Sequence, residues 1–154
     1  MRGFSLVRGA ILALVVVLLS GCGYNQIQSK DEATKAGWSE VLNQYKRRAD
    51  LIPNLVATVK GYAAHEAQVL TAVTEARAKV SQINVNADDA ASLAQYQAAQ
   101  GELSQALGRL MMVTEAYPNL KADQQFIGLQ TQLEGTENRV TVARGRYIQA
   151  VQDY

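Results

Sequence analysis

Apolar side chains recur every three or four positions over most of the chain, and this spacing predicts amphipathic helices. The first series follows a capping-box pattern, with Ser29 as the N-cap and Glu32 reaching back to it. Pro53 has no backbone N–H and disfavours helical geometry at Ile52, so we expect a break or a sharp kink at residues 50–53. Three further series cover residues 55–83, residues 93–114, and the stretch from Ala122 or Asp123 to Tyr154.

Short turns separate the predicted helices. Residues 84–89 carry two candidate N-caps, Asn86 and Asp88, and Pro118 ends the third series. Connections this short make sequential helices antiparallel neighbours. The expected fold is therefore all-α: an elongated antiparallel bundle of about four helices with coiled-coil-like packing over residues 31–154. We find no useful stretch with the two-residue period of a strand.

The N-terminus has the pattern of a bacterial lipoprotein signal peptide. Arg2 and Arg8 precede an uncharged apolar run at residues 10–19, which as a helix covers about 15 Å, or half a bilayer core. Leu-Ser-Gly-Cys at residues 19–22 resembles a lipobox. We therefore expect cleavage between Gly21 and Cys22 and acylation of the Cys22 thiol, with a second chain needed for stable anchoring. The alternative is an uncleaved single-pass anchor.

The residues before the predicted bundle and those at its end also lead to specific predictions. Residues 1–21 form the predicted signal peptide, and residues 22–30 are polar and short, as expected of a tether. Gly23 stands where an Asp commonly favours inner-membrane retention in Gram-negative lipoproteins, so the outer membrane is the expected location in such a host. The last apolar series is still running at Tyr154, and we expect a truncated natural chain.

Composition narrows the range of functions. The chain has 154 residues, 15 Lys and Arg, 14 Asp and Glu, and a formal net charge of +1. This balance argues against nucleic-acid binding, which needs a clustered basic surface. The single cysteine excludes an internal disulfide and a CxxC site.

Two long phrases closely resemble the LemA family. They are YNQIQSKDEATKAGWSEVLNQYKRRADLIPNLVATVKGYAAHE, from residue 24, and EAYPNLKADQQFIGLQTQLEGTENRVTVARGRYIQAV, from residue 115. The resemblance covers about residues 24–154. Ala49 and Ile148 depart from it, because the family often has His before Asp-Leu-Ile-Pro and usually has Asn after the tyrosine at position 147.

The resemblance implies a helical bundle tethered through its N-terminus to a bacterial membrane. It implies no established activity, so we expect a non-catalytic protein. Family members are often encoded near a TPM-domain membrane protein, an association that hints at envelope maintenance. The expected partners are membrane lipid through acylated Cys22 and other envelope proteins. Many relatives keep an uncleaved N-terminal helix.

Motifs for metal or haem chemistry are weak. His65-Glu66 lacks the second histidine of a zincin motif, because residue 69 is Val. A haem held by His65 and Met111 or Met112 has no other support, since methionine is more often core filler. The paired Glu-x-x-His motifs of a di-iron bundle are missing from the sequence. We therefore predict no catalytic residue, no metal site and no cofactor.

Charged residues offer candidate contacts. Glu66 falls at an otherwise apolar position, where it is either a rim carboxylate or part of an inter-helix pair. Arg47 and Arg48 lie near the predicted end of the first helix, as a solvated face or a contact for an anionic lipid or partner. The inter-helix hypothesis pairs Arg77, Arg139 or Arg144 with Glu66, Glu115 or Glu137. A partner patch or ordinary exposed surface is expected at Glu137, Asn138 and Arg139.

Overall fold

The described part of the chain is entirely helical apart from short connections. A computed structural model describes the backbone of residues 2–154 and the side chains of residues 9, 11, 14 and 23–154. The helices are α1 (Arg2–Tyr62), α2 (Ala67–Gln82), α3 (Ala90–Thr114), α4 (Pro118–Lys121) and α5 (Gln124–Asp153). Within residues 2–154 there is no strand. The prediction of an all-α antiparallel bundle is confirmed.

The longest packing surface in the bundle joins α1 to α5. Side-chain contacts between them follow antiparallel order, in which higher positions on α1 meet lower positions on α5. From one end to the other they are Thr34 Oγ1 to Ala150 O at 3.3 Å, Arg48 Nη1 to Glu137 Oε1 at 2.8 Å, and Tyr62 Oη to Asp123 Oδ2 at 2.6 Å. Residues 34–62 of α1, about 43 Å of helix, therefore form the bundle half of α1.

The other half of the bundle is the antiparallel pair of α2 and α3. Residues 83–89 connect the two helices, and Lys79 Nζ pairs with Glu102 Oε2 at 2.7 Å across them. This pair packs against α1 mainly through α2. Because α3 and α5 make little direct backbone contact, open cavities lie between them.

The predicted break at residues 50–53 is wrong, because α1 continues through Pro53 to Tyr62. Proline removes one helical hydrogen bond, but buried side chains beside it, Ile52 and Leu55, hold this turn against the core. The chain instead turns at residues 63–66, where Glu66 N donates to Ala63 O at 3.0 Å. The predicted second helix is therefore divided between the end of α1 and α2.

The predicted helix starts have mixed outcomes. Ser29 does not begin a helix, because α1 is already helical before it. Neither Asn86 nor Asp88 caps α3; Asp89 does, with its carboxylate accepting from Ala91 N at 3.0 Å. The helix predicted to begin near Ala122 or Asp123 does begin there, and the Asp123 carboxylate caps α5 by accepting from Gln125 N and Phe126 N.

Residues 23–30 belong to α1 and are all exposed. They lie between the predicted signal peptide and the packed part of α1, where we predicted the tether. Gly21 and Cys22, at the predicted cleavage site, lie outside the residues whose side chains the structure describes.

Aromatic side chains fill the half of the core nearest to this exposed stretch. Trp38 and Tyr147 pack with ring centroids 5.3 Å apart, and Tyr45 meets Tyr96 edge to face at 5.7 Å. These contacts join α1 to both α5 and α3. Edge-to-face and tilted pairs of this kind contribute beyond their buried area.

The helices α1 and α5 approach closely at Gly37. A Cβ built there would lie 3.3 Å from the Cα of Tyr147, a backbone atom that cannot rotate away. Among the glycines with described surroundings, Gly37 is the one at which an added Cβ would meet another residue within 4 Å.

Replacing Gly37 with leucine is expected to lower the free energy of unfolding by about 1–3 kcal/mol, because the added side chain forces the helices apart. Gly61→Leu is the matched control, since a Cβ at Gly61 meets no atom within 4 Å. Denaturant unfolding of the detergent-solubilised chain measures both. Equal stability of the two variants would contradict the close approach.

A second prediction concerns the charge on Asp123. The hydrogen bond from Tyr62, with backbone N–H groups of Phe126 and Gln125, holds the pKa of Asp123 below its ordinary value of 3.8. A carboxyl with a depressed pKa stabilises the fold above its unfolded pKa, and this contribution is lost as pH falls through the folded pKa. Asp123→Asn keeps the capping oxygen and removes the charge.

We therefore expect Asp123→Asn to melt below the wild type at neutral pH, with the gap closing below about pH 3.8. Thermal melts from pH 7 to pH 2.5 test this, with Asp50→Asn, an exposed aspartate of α1, as control. A gap that stays constant down to the lowest pH would show that the charge is not responsible.

Candidate functional site

The centre of the bundle holds a buried arginine. Arg48 is 1% exposed, although its side chain is charged. Its Nη1 donates to Ser104 Oγ and to Glu137 Oε1, each at 2.8 Å. Its Nη2 donates to the backbone O of Gln100 at 3.2 Å and also contacts Gln100 Oε1. One side chain of α1 thereby binds both α3 and α5.

The environment of Arg48 matches the requirements of a buried guanidinium. Arginine stays protonated in proteins, so burial demands a nearby anion and hydrogen-bond acceptors. Glu137 supplies the anion, and its side chain is 47% exposed at the edge of the site. The guanidinium carbon lies 5.3 Å from the centroid of the Tyr45 ring, within cation–π range. Arg48 Nε has no hydrogen-bond partner among the described residues.

The expectation of a solvated face is wrong for Arg48, whereas Arg47 is exposed as expected of such a face. Because α1 does not end near residue 50, Arg48 lies in the middle of the helix. Val41, Tyr45, Arg48 and Ile52 follow one another at intervals of four, three and four residues, and all are buried. That helical spacing was the signal that could have placed Arg48 on the buried face.

Next to Arg48, a second polar contact joins α1 to α2. Pro53 has no N–H to donate to the carbonyl of Ala49, four residues earlier. Arg77 of α2 occupies that acceptor, with its Nε donating to Ala49 O at 2.9 Å. Arg77 is half-buried there. Pro53 and Arg77 therefore act together: the residue that weakens α1 creates the acceptor that α2 binds.

The remaining candidate residues are distributed over the surface. Glu66 accepts from Tyr117 Oη at 3.1 Å, and Glu115 pairs with Lys121 at 2.5 Å. Asn138, Arg139 and Arg144 are exposed. In the part of the chain with described side chains, Arg77, Arg139 and Arg144 make no salt bridge with the three glutamates proposed for them. An inter-helix pair does form at Glu137, but its partner is Arg48.

Two tyrosine–carboxylate contacts secure the end of the bundle farthest from residues 23–30. The hydrogen bond to Asp123 raises the pKa of Tyr62, and the hydrogen bond to Glu66 raises the pKa of Tyr117. Both tyrosines therefore stay protonated donors at physiological pH. They link α1 to α5 and the start of α2 to α4.

An open cavity lies over Arg48. It has a volume of about 580 Å³ between α3 and α5, with Tyr45 and Arg48 of α1 as its floor. Its walls carry small and polar residues, namely Gly101 and Ser104 on α3 and Thr141, Arg144 and Gly145 on α5. This cavity brings three sequence-predicted candidates together: Arg48, Glu137 and Arg144.

The residues considered for metal or haem chemistry lie outside this cavity. His65 is exposed in the turn at residues 63–66, Met111 is half-buried, and Met112 is 75% exposed on α3. Among the side chains described, no three His, Cys, Asp or Glu groups come together as a set of metal ligands.

These features define a class of protein: a helical bundle built on the continuation of an N-terminal helix, with a polar interhelical centre. The chain belongs to the LemA family, whose model matches residues 37–154. Family membership therefore confirms the resemblance found in the sequence and supports a LemA-type protein of the membrane or cell envelope.

Two curated relatives are Magnetosome protein MamQ 1 and Magnetosome protein MamQ 2 of Paramagnetospirillum magneticum. Each is 25% identical to this chain over 164 residues, an alignment that covers 94% of this chain and 60% of the relative. The chain thus spans about three fifths of the length of these relatives.

The length and hydropathy of the described helices are relevant to membrane crossing. Over the residues it describes, none of the helices has a stretch both long enough and apolar enough to span a bilayer. Lipidation of Cys22 remains a prediction, because the side chain of Cys22 is outside that region.

The contact between Arg77 and Ala49 generates a double-mutant prediction. Arg77→Met leaves the Ala49 carbonyl without its donor and is expected to cost about 1–2 kcal/mol of stability. Pro53→Ala restores a backbone N–H at position 53, which can donate to the Ala49 carbonyl four residues earlier. In that background the cost of Arg77→Met should fall by about 1 kcal/mol.

Denaturant unfolding of the four proteins of this cycle measures the coupling. Arg109→Met, which removes an exposed arginine of α3, is the control for loss of charge. The same cost of Arg77→Met with and without Pro53 would refute the compensation.

Proposed function

We propose that this chain is a lipid-anchored, non-catalytic interaction module of the bacterial cell envelope. The observation that carries the proposal is that α1 continues without a break from residue 23, next to the predicted attachment point, to Tyr62 in the bundle. A single element thereby links the predicted attachment point to the core. Its exposed residues 23–30, about 12 Å of helix, separate the bundle from that point.

The pattern around Cys22 supports a lipid as the anchor. The positively charged N-terminus, the apolar run of ten residues and the sequence Leu-Ser-Gly-Cys occur in the order that lipoprotein processing requires. Acylation of the thiol and of the new amino group provides the two or more chains that stable anchoring needs. With Gly23 after the cysteine, the proposed location in a Gram-negative host is the outer membrane, facing the periplasm.

The polar groups at the centre of the bundle support a binding role over catalysis. Arg48, Arg77 and Glu137 are engaged in contacts between helices. Helix surfaces and the cavity between α3 and α5 are then the parts that meet other envelope proteins. The magnetosome role in the relatives' names is not carried over, because identity is 25% and the chain spans 60% of their length.

Cys22→Ser tests the anchor. The wild-type chain extracted from membranes should begin at Cys22 and carry acyl groups by intact-mass spectrometry. The variant should keep residues 1–21 and incorporate no labelled palmitate, because serine cannot form the thioether.

The matched control moves the only thiol within α1, in the double variant Cys22→Ser with Ser29→Cys. Acylation at position 29 is not expected, because the lipobox precedes position 22. A wild-type protein that retains residues 1–21 with a free thiol would replace the proposal with the uncleaved single-pass anchor.

A further inference from the structure

The cavity between α3 and α5 has a buried positive charge at its floor. Glu137 is the one carboxylate within 4.0 Å of Arg48 among the described side chains. It makes a single contact with Nη1, at 2.8 Å, and its side chain is 47% exposed. Glu137 can therefore turn into water at the loss of one charge-assisted hydrogen bond, provided that another anion replaces it.

The rim of the cavity adds a second positive charge. Arg144 lies two helical turns after Glu137 on the same wall and is exposed. It has no carboxylate within 4.0 Å in the part of the chain whose side chains are described. With Glu137 turned outward, an entering anion would meet two guanidinium groups.

The remaining lining sets the size and polarity of the ligand. A volume of about 580 Å³ accommodates a small organic molecule or the end of a peptide. Tyr45, Val140 and Ile148 contribute apolar surface. At Gly101 and Gly145 an added Cβ would meet no atom within 4 Å, so neither wall is closed by its own side chains.

We propose that this cavity binds an organic carboxylate with an apolar body, whose carboxylate takes the position of Glu137 on Arg48. In the ligand-free protein the carboxylate of Glu137 neutralises Arg48, and the carboxylate of the ligand replaces it on binding. Replacing one carboxylate with another leaves the net charge at the floor of the cavity unchanged. The positive charge of Arg144 favours a charged ligand over a neutral one. The carboxylate comes either from a free acid or from the C-terminus of a partner polypeptide. This site does not depend on how the chain is anchored.

Ligand-observed NMR titration of the full detergent-solubilised chain tests the chemistry. The probes are phenylacetate and its amide, and the peptide N-acetyl-Ala-Leu-Phe with a free or an amidated C-terminus. We expect at least one of the two acids to bind tenfold or more tightly than its amide. Binding of phenylacetate alone identifies a free acid as the ligand, and binding of the peptide acid alone identifies a chain terminus.

Two variants locate the site. Gly101→Leu places a side chain in the cavity, where an added Cβ meets no atom within 4 Å, and should weaken binding at least tenfold at a melting temperature no lower than that of the wild type. Gly61→Leu, outside the cavity, should bind as the wild type does. Glu137→Gln removes the competing carboxylate and should tighten binding several-fold, whereas Glu75→Gln on α2 should not.

The proposal is overturned if neither acid binds at millimolar concentration, or if the amides bind as tightly as the acids. It is equally overturned if folded Gly101→Leu binds with wild-type affinity, or if Glu137→Gln, with a melting transition that shows a native fold, weakens binding. Arg48→Gln is informative only after its melting temperature shows a native fold, and the glycine variant keeps the test decisive without it.

Discussion

A buried, positively charged guanidinium lies at the centre of this bundle, and the other helices provide the groups that stabilise it there. Arg48 requires an anion, which α5 provides through Glu137, and acceptors, which α3 provides through Gln100 and Ser104. The adjacent residue, Ala49, offers the carbonyl that Arg77 of α2 binds. Two consecutive residues of α1 thus contact the other three long helices.

These polar contacts specify the register in which the helices pair, which a repeating apolar pattern alone does not. A heptad-like surface can pair in several registers, because a shift of seven residues again matches apolar with apolar. Along α1 and α5, that shift would separate Arg48 from Glu137 and Tyr62 from Asp123, and it would move Gly37 away from Tyr147. Leaving Arg48 buried without an anion is the costliest of these losses. The polar centre therefore specifies the pairing that the aliphatic core stabilises.

The sequence predicted those features that depend on local chemistry. Periodicity predicted a helix over residues 93–114 and another from Ala122 or Asp123 to Tyr154, and the structure has α3 and α5 there. The break predicted at Pro53 was wrong, because the donor that compensates for the missing N–H is Arg77, on another helix. The turn at residues 63–66 was missed, since Ala63 and Ala64 are strong helix formers. At the candidate site, an inter-helix pair was one of the hypotheses for Glu137, but spacing along the chain could not identify Arg48 as its partner.

The unbroken helix from the exposed stretch to the polar centre has a geometric consequence. Residues 23–47 wind at about 100° per residue, so the direction in which the α3–α5 cavity opens is fixed relative to the start of the exposed stretch at residue 23. Adding one residue to the exposed stretch would rotate the whole bundle by about 100° while raising it by only about 1.5 Å. The length of this stretch therefore sets the angle between its start and the opening of the cavity far more than it sets the distance between them.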